Sequence, residues 1–193
     1  MKFYSARQAI HDAYAIHLTS KGFEVNPLAS RMSSHSIKQE NDLLICNAVE
    51  AGKIIAAVEK LDEPFRSWAK WVYAPRTEHF MPEQGRFFQW LERDVTEKLA
   101  KSERDYREAT KQRIRDVVAY TVMDYRSYVT NGQHLYPASL IIKKCRIQRQ
   151  NWKRDFQEWH GVYWKMCDEY LDKTALIGIV RDVQSLLLRY SAK

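Results

Sequence analysis

Apolar residues near the start of the chain recur at helical spacing. Ala6, Ala9, Ile10, Ala13, Tyr14, His17 and Leu18 fall on one stripe. That stripe predicts a helix from Ser5 to Ser20, with Gly22 available to end it in the left-handed conformation. Pro27 and the serines between Asn26 and Ser36 break the pattern, and this stretch reads as a mobile loop. Ser36 and Gln39 resemble a capping box, and Leu43, Asn47, Glu50, Ile54, Ala57 and Leu61 continue as a second helix. Leu44, Val49, Ile55 and Val58 widen its apolar face. Asp62-Glu63-Pro64 stops that helix and starts a third, which carries Phe65, Trp68, Ala69, Trp71 and Val72 as far as Pro75.

Pro82 marks a further start, followed by Phe87, Phe88, Leu91, Val95 and Leu99. From Lys98 to Arg115 both charge signs dominate. The pattern there allows one exposed rod or a fresh helix capped by Ser102 and Asp105. Apolar periodicity returns at Ile114, Val117, Val118, Thr121, Val122, Tyr125 and Tyr128, and Asn131-Gly132 is a stop signal. Pro137 opens another helix through Leu140, Ile141 and Cys145. A tight connection at Arg146-Ile147-Gln148 leads to a helix with Trp152, Phe156, Trp159, Tyr163 and Met166. A last helix holds Leu171, Leu176, Ile179, Val180, Val183, Leu186 and Leu187.

This reading is all-α: a multi-helix protein with a C-terminal helix-turn-helix unit. Six glycines and five prolines in 193 residues agree with it, since turn-rich β folds use more of both. The expected division is an N-terminal helical region over residues 1–100, serving as scaffold or protein contact, and a C-terminal unit over 101–193. No apolar run is long enough to span a bilayer, and the N-terminus lacks the apolar core of a signal peptide. Cys46, Cys145 and Cys167 form no CxxC pair. They read as reduced thiols, and the expected location is the cytoplasm, with no membrane partner.

Thirty-one Lys and Arg against 24 Asp and Glu leave a net charge of +7. Between Ile141 and Arg154 stand Lys143, Lys144, Arg146, Arg149, Lys153 and Arg154 with no acid among them. Gln148, Gln150 and Asn151 lie in the same run. Cations neutralise phosphates, while Arg, Gln and Asn match the donor and acceptor pattern of base edges in the major groove. Ile141, Cys145, Ile147 and Trp152 occupy the apolar slots of a helix-turn-helix. Ile142 stands where a small residue usually lets the helices approach, and Arg146 where glycine usually makes the turn. The plainer alternative is a solvated basic face.

The run Ile147-Gln148-Arg149-Gln150-Asn151-Trp152-Lys153-Arg154-Asp155-Phe156 resembles the second helix of a C-terminal helix-turn-helix in the Q-like late-gene antiterminators of lambdoid phages. Met166 and Leu171-Asp172-Lys173-Thr174-Ala175-Leu176 resemble the helix that follows. The resemblance covers the last third of the chain. It implies a phage or prophage regulator that engages double-stranded DNA and RNA polymerase so that transcription passes terminators. Lys143, Lys144, Arg149, Gln150, Asn151, Lys153 and Arg154 would face DNA. Zinc-binding members of that family use cysteine clusters, which this chain lacks, so no metal or other cofactor is carried over.

An enzyme is the rival class. Arg154 and His160 have the spacing of helical HEPN-type ribonucleases, in which histidine moves a proton and arginine stabilises transition-state charge. The bland reading puts His160 at the core edge beside Trp164. Cys145, His160 and Cys167 have no fourth ligand at a metal-binding spacing, and buried thiols are the default. His11 and His17 read as surface or packing residues. Phe65, Trp68, Trp71, Tyr73, Phe80, Phe87, Phe88 and Trp90 make a dense aromatic set, which fits a core better than a partner surface. A protein-interaction module meeting an acidic partner is the third class.

Overall fold

A computed structural model describes the backbone of residues 6–21 and 37–191, and the side chains of 6–21 and 48–182. Every regular element among the described residues is helical. The first are α1 (Ala6–Ser20), α2 (Ile37–Glu59), α3 (Phe65–Tyr73) and α4 (Met81–Ala100), with a short 3-10 turn at Glu78–Phe80. Next come α5 (Glu108–Asn131), α6 (Ala138–Lys144), α7 (Arg149–Asn151), α8 (Gln157–Lys165) and α9 (Lys173–Ser191). Two π-helical segments, Trp152–Phe156 and Met166–Asp172, join the last three. No described helix is long and apolar enough to cross a membrane. Gly22, the Asn26–Ser36 loop and Ser36 of the capping box lie outside the described residues. So do the side chains of Leu43, Leu44, Cys46, Asn47, Val183, Leu186 and Leu187.

The chain packs as two compact units, residues 1–84 with 174–193, and residues 85–173. In the first, α1 lies on α2 and α3. The α1 stripe works as its periodicity requires, with Ile10, Ala13, Tyr14 and Leu18 buried. Ile54, Ala57 and Val58 of α2 are buried, whereas Val49 is 54% exposed and does not widen the face. Pro64 sits at the N-cap position of α3, and Trp68, Trp71 and Tyr73 are buried. Trp68 and Trp71 meet edge to face at 5.9 Å, and Tyr14 meets Phe80 at 5.1 Å. Gly178 of α9 comes so close to Leu61 that a Cβ there would lie 3.1 Å from its Cδ2.

In the second unit α5 packs against α6 and α8. Its apolar stripe is buried from Ile114 to Tyr125, and Tyr128 is 47% exposed. Gly132, at φ 70°, ends the helix in the left-handed conformation, its N–H reaching the Tyr128 carbonyl. The charged stretch resolves into a break: residues 101–107 are not helical, and α5 begins after Arg107. Ser102 caps no helix; its Oγ accepts the Arg104 N–H within the connection. The two C-terminal helices expected from the sequence run on without a break from Arg149 to Ser191. Phe87 is buried, while Phe88 and Trp90 are half-buried, so the aromatic set is chiefly core.

Candidate nucleic-acid interface

The stretch leading into the basic segment is held by a polar clamp. Asp124 of α5 is 1% exposed, and a buried carboxylate needs donors. It accepts the Tyr136 backbone N–H at 2.6 Å and lies 2.7 Å from His134 Nδ1, within hydrogen-bond reach. Residues 132–137 are thereby drawn onto α5, and α6 starts directly after Pro137. The Tyr136 ring packs on Tyr120 at 4.9 Å, and the Lys144 ammonium lies 5.7 Å from the centre of each ring.

The turn after α6 has the hydrogen bonds of a Schellman motif. Ile147 N–H donates to the Ile142 carbonyl at 2.9 Å and Arg146 N–H to that of Lys143 at 3.2 Å. Arg146 has φ 50°, the left-handed region. The position where glycine was expected is therefore filled by an arginine in glycine's conformation. Ile141, Cys145 and Ile147 are buried and Trp152 half-buried, so the apolar slots face inward. Ile142 is half-buried, and its bulk is tolerated. Burial pushes the Cys145 thiol up to about 11, with Asp116 adding, and pushes that of Cys167 up as well.

With the turn formed, Lys143, Arg146, Arg149 and Lys153 are exposed and form no ion pair among the described residues. Arg149 and Lys153 are four apart and share a helix face. The other residues singled out in the run are more engaged. Lys144 sits over the two tyrosine rings, and Gln150 Nε2 donates to Gln148 Oε1. Asn151 is half-buried, its N–H bonded to the Gln148 carbonyl. Arg154 grips Asp155 through Nε and Nη2, at 3.0 Å and 2.7 Å, and holds that carboxyl below the usual carboxylate range.

Two features of this region escape helical periodicity. One is the π turn at Trp152–Phe156, where Gln157 N–H reaches back five residues to the Trp152 carbonyl. Residues four apart on an α-helix drift by about 40° per step, and a wider turn offsets that drift. Trp152, Phe156, His160 and Trp164 stand four apart, and the Trp152 ring meets Phe156 at 6.5 Å and His160 at 5.8 Å. His160 meets Trp164 at 6.3 Å. The strict four-residue aromatic spacing was the available signal. The other feature is Arg104, whose Nη1 donates to the Arg154 carbonyl at 2.7 Å. Nothing local announces a partner fifty residues away.

The Arg154 and His160 pair acquires different surroundings. Arg154 is spent on Asp155, while burial among the rings lowers the pKa of His160. No group of three or more His, Cys, Asp or Glu among the described residues is placed to hold a metal ion.

A family model described as Phage antitermination protein Q matches residues 13–189. The match runs far beyond the last third, on which the resemblance in the sequence rested. No curated protein and no solved structure matches the chain.

Proposed function

Since the chain belongs to the phage antitermination protein Q family and so acts on transcription as a phage antiterminator, we propose that it does this as a double-stranded DNA-binding protein. In this reading α6, the turn and the helix from Arg149 form a helix-turn-helix. Arg149, Gln150, Asn151 and Lys153 face the major groove, and Lys143, Lys144, Arg146 and Arg154 follow the phosphates. The N-terminal helices, residues 1–100, serve as scaffold and as contact for RNA polymerase, the machine on which antitermination acts.

The observation that carries the reading is the left-handed turn at Arg146, with unpaired cations on both sides of it. A tight turn between a short helix and a basic one, closed over buried Ile141, Cys145 and Ile147, is what a reading helix requires of its support. Cations without acidic partners supply the sequence-independent part of the affinity.

A salt titration with random-sequence duplex DNA tests it, with single-stranded RNA in parallel. On random-sequence duplex no base pattern is read, so if the four unpaired cations Lys143, Arg146, Arg149 and Lys153 each fall back on one phosphate, log K falls against log salt with a slope of about −3.6. The double variant Arg149→Ala, Lys153→Ala should then flatten the slope by about 1.8. Absence of duplex binding, or a slope that the double variant leaves unchanged, would overturn the proposal.

A further inference from the structure

We infer that Arg104 is a positioning residue for sequence reading: from the 101–107 connection it fixes the helix that begins at Arg149. The inference rests on the DNA-binding reading above and adds to it a residue outside the basic run. Arg104 Nη1 donates to the Arg154 backbone carbonyl at 2.7 Å and lies 3.3 Å from Asp155 Oδ1. The same carboxylate takes the Arg154 guanidinium, so Asp155 gathers two arginines from segments far apart in sequence.

The place of this contact matters. Arg154 and Asp155 lie inside the π turn, where the regular i to i−4 ladder is interrupted. A wider turn leaves the rotation of a helix about its axis less well defined by its own hydrogen bonds. An external donor on a carbonyl within that turn restores the definition, because the carbonyl has a second lone pair to offer. Asp155 is a firm anchor, its side chain 14% exposed, while Arg104 and Arg154 are 54% and 62% exposed. The residues that would read bases, Arg149 to Lys153, end where the latch begins. Base contacts tolerate only small errors of placement, whereas phosphate attraction does not depend on register. Loss of the latch should therefore damage discrimination and spare non-specific binding.

The alternative is that Arg104, itself exposed, touches a phosphate directly. The two roles separate in one experiment. The full chain is used to select a duplex from a random library, and affinities are measured for that duplex and for a scrambled duplex of equal composition. For Arg104→Ala a positioning role predicts about ten-fold weaker binding to the selected duplex, unchanged binding to the scrambled one and an unchanged salt slope. Arg104→Lys, which keeps one donor for the Arg154 carbonyl, should recover part of the preference. Equal losses on both duplexes, with a slope flatter by about 0.9, would instead make Arg104 a phosphate contact and overturn the inference. So would a preference that Arg104→Ala leaves intact. Should Arg104→Ala fail to fold by circular dichroism, Asp155→Asn carries the test. It removes the anchor and frees Arg154, so the preference should fall while scrambled-duplex binding rises. If the wild-type chain selects no duplex at all, the DNA reading itself falls, which is distinct from failure of the latch alone.

Discussion

A half-buried cation of the first unit and four exposed cations of the second use charge in opposite ways. In the first, Lys70 of α3 is drawn inward, its side chain 13% exposed. Its ammonium lies 2.8 Å from Glu59 and 3.0 Å from Glu83. Tyr14 of α1 donates to the same Glu59 oxygen at 3.1 Å, and burial with that carboxylate nearby pushes the phenol pKa up. In the second unit Lys143, Arg146, Arg149 and Lys153 point to solvent with no acidic partner among the described residues. Charge that meets its counter-charge inside the chain holds helices together. Charge left without one is solvated or open to a polyanion, and like cations crowded on a short segment repel one another.

The largest effect expected from this contrast is at Lys70. Lys70→Met keeps the stem but removes the ammonium, leaving a Glu83 side chain that is 8% exposed without this counter-charge. Breaking a nearly buried pair from one side should cost about 2 to 3 kcal/mol. Adding Glu83→Leu should recover much of the loss, since an apolar pair avoids the desolvation penalty. Arg149→Ala and Lys153→Ala should each change stability by less than about 0.5 kcal/mol. Urea unfolding of the four variants decides the matter. Equal costs at Lys70 and Arg149 would erase the distinction between the units.

What was legible in the sequence follows from the range of the forces involved. Helix stripes are set by neighbours three and four residues away, so Ile10, Ala13, Tyr14 and Leu18 could be placed inside from spacing alone. The Asn131-Gly132 stop was legible for the same reason, and Gly132 takes the expected left-handed turn. The break at 101–107 was not, because its charged residues suit an exposed helix and an exposed connection equally. Nor were the Asp124 clamp and the Arg104 latch, which join residues distant in sequence through hydrogen bonds that no periodicity encodes. Arg146 lies between these cases. Its place at the turn was legible, but the residue type argued against the turn that forms.

That mismatch gives the second prediction. A non-glycine residue in the left-handed region costs roughly 1 to 2 kcal/mol, partly offset by the greater freedom glycine has when unfolded. Arg146→Gly should therefore stabilise the protein by about 0.5 to 1 kcal/mol while removing one exposed cation. Stability and duplex affinity would move in opposite directions, which is the contrast between the units reduced to one residue. A destabilised Arg146→Gly protein would mean that the arginine side chain, and not the backbone, secures the turn.

The smallest effect concerns His160, a half-buried titratable group of the second unit. Burial against Trp152 and Trp164 lowers its pKa, the charge of Asp124 works against that shift, and His134 works with it. A histidine whose native pKa is depressed binds protons more readily when unfolded, so stability rises with pH across its titration. Its contribution is complete above the ordinary imidazole value of about 6.5 and is lost as the pH falls through the lower native value. Wild-type unfolding free energy should therefore decline on acidification from neutrality more steeply than that of His160→Gln, whatever their offset at neutral pH. Parallel declines would place the His160 ring in contact with solvent. The basic segment would then rest on a wetter support than the Trp152, His160 and Trp164 contacts describe.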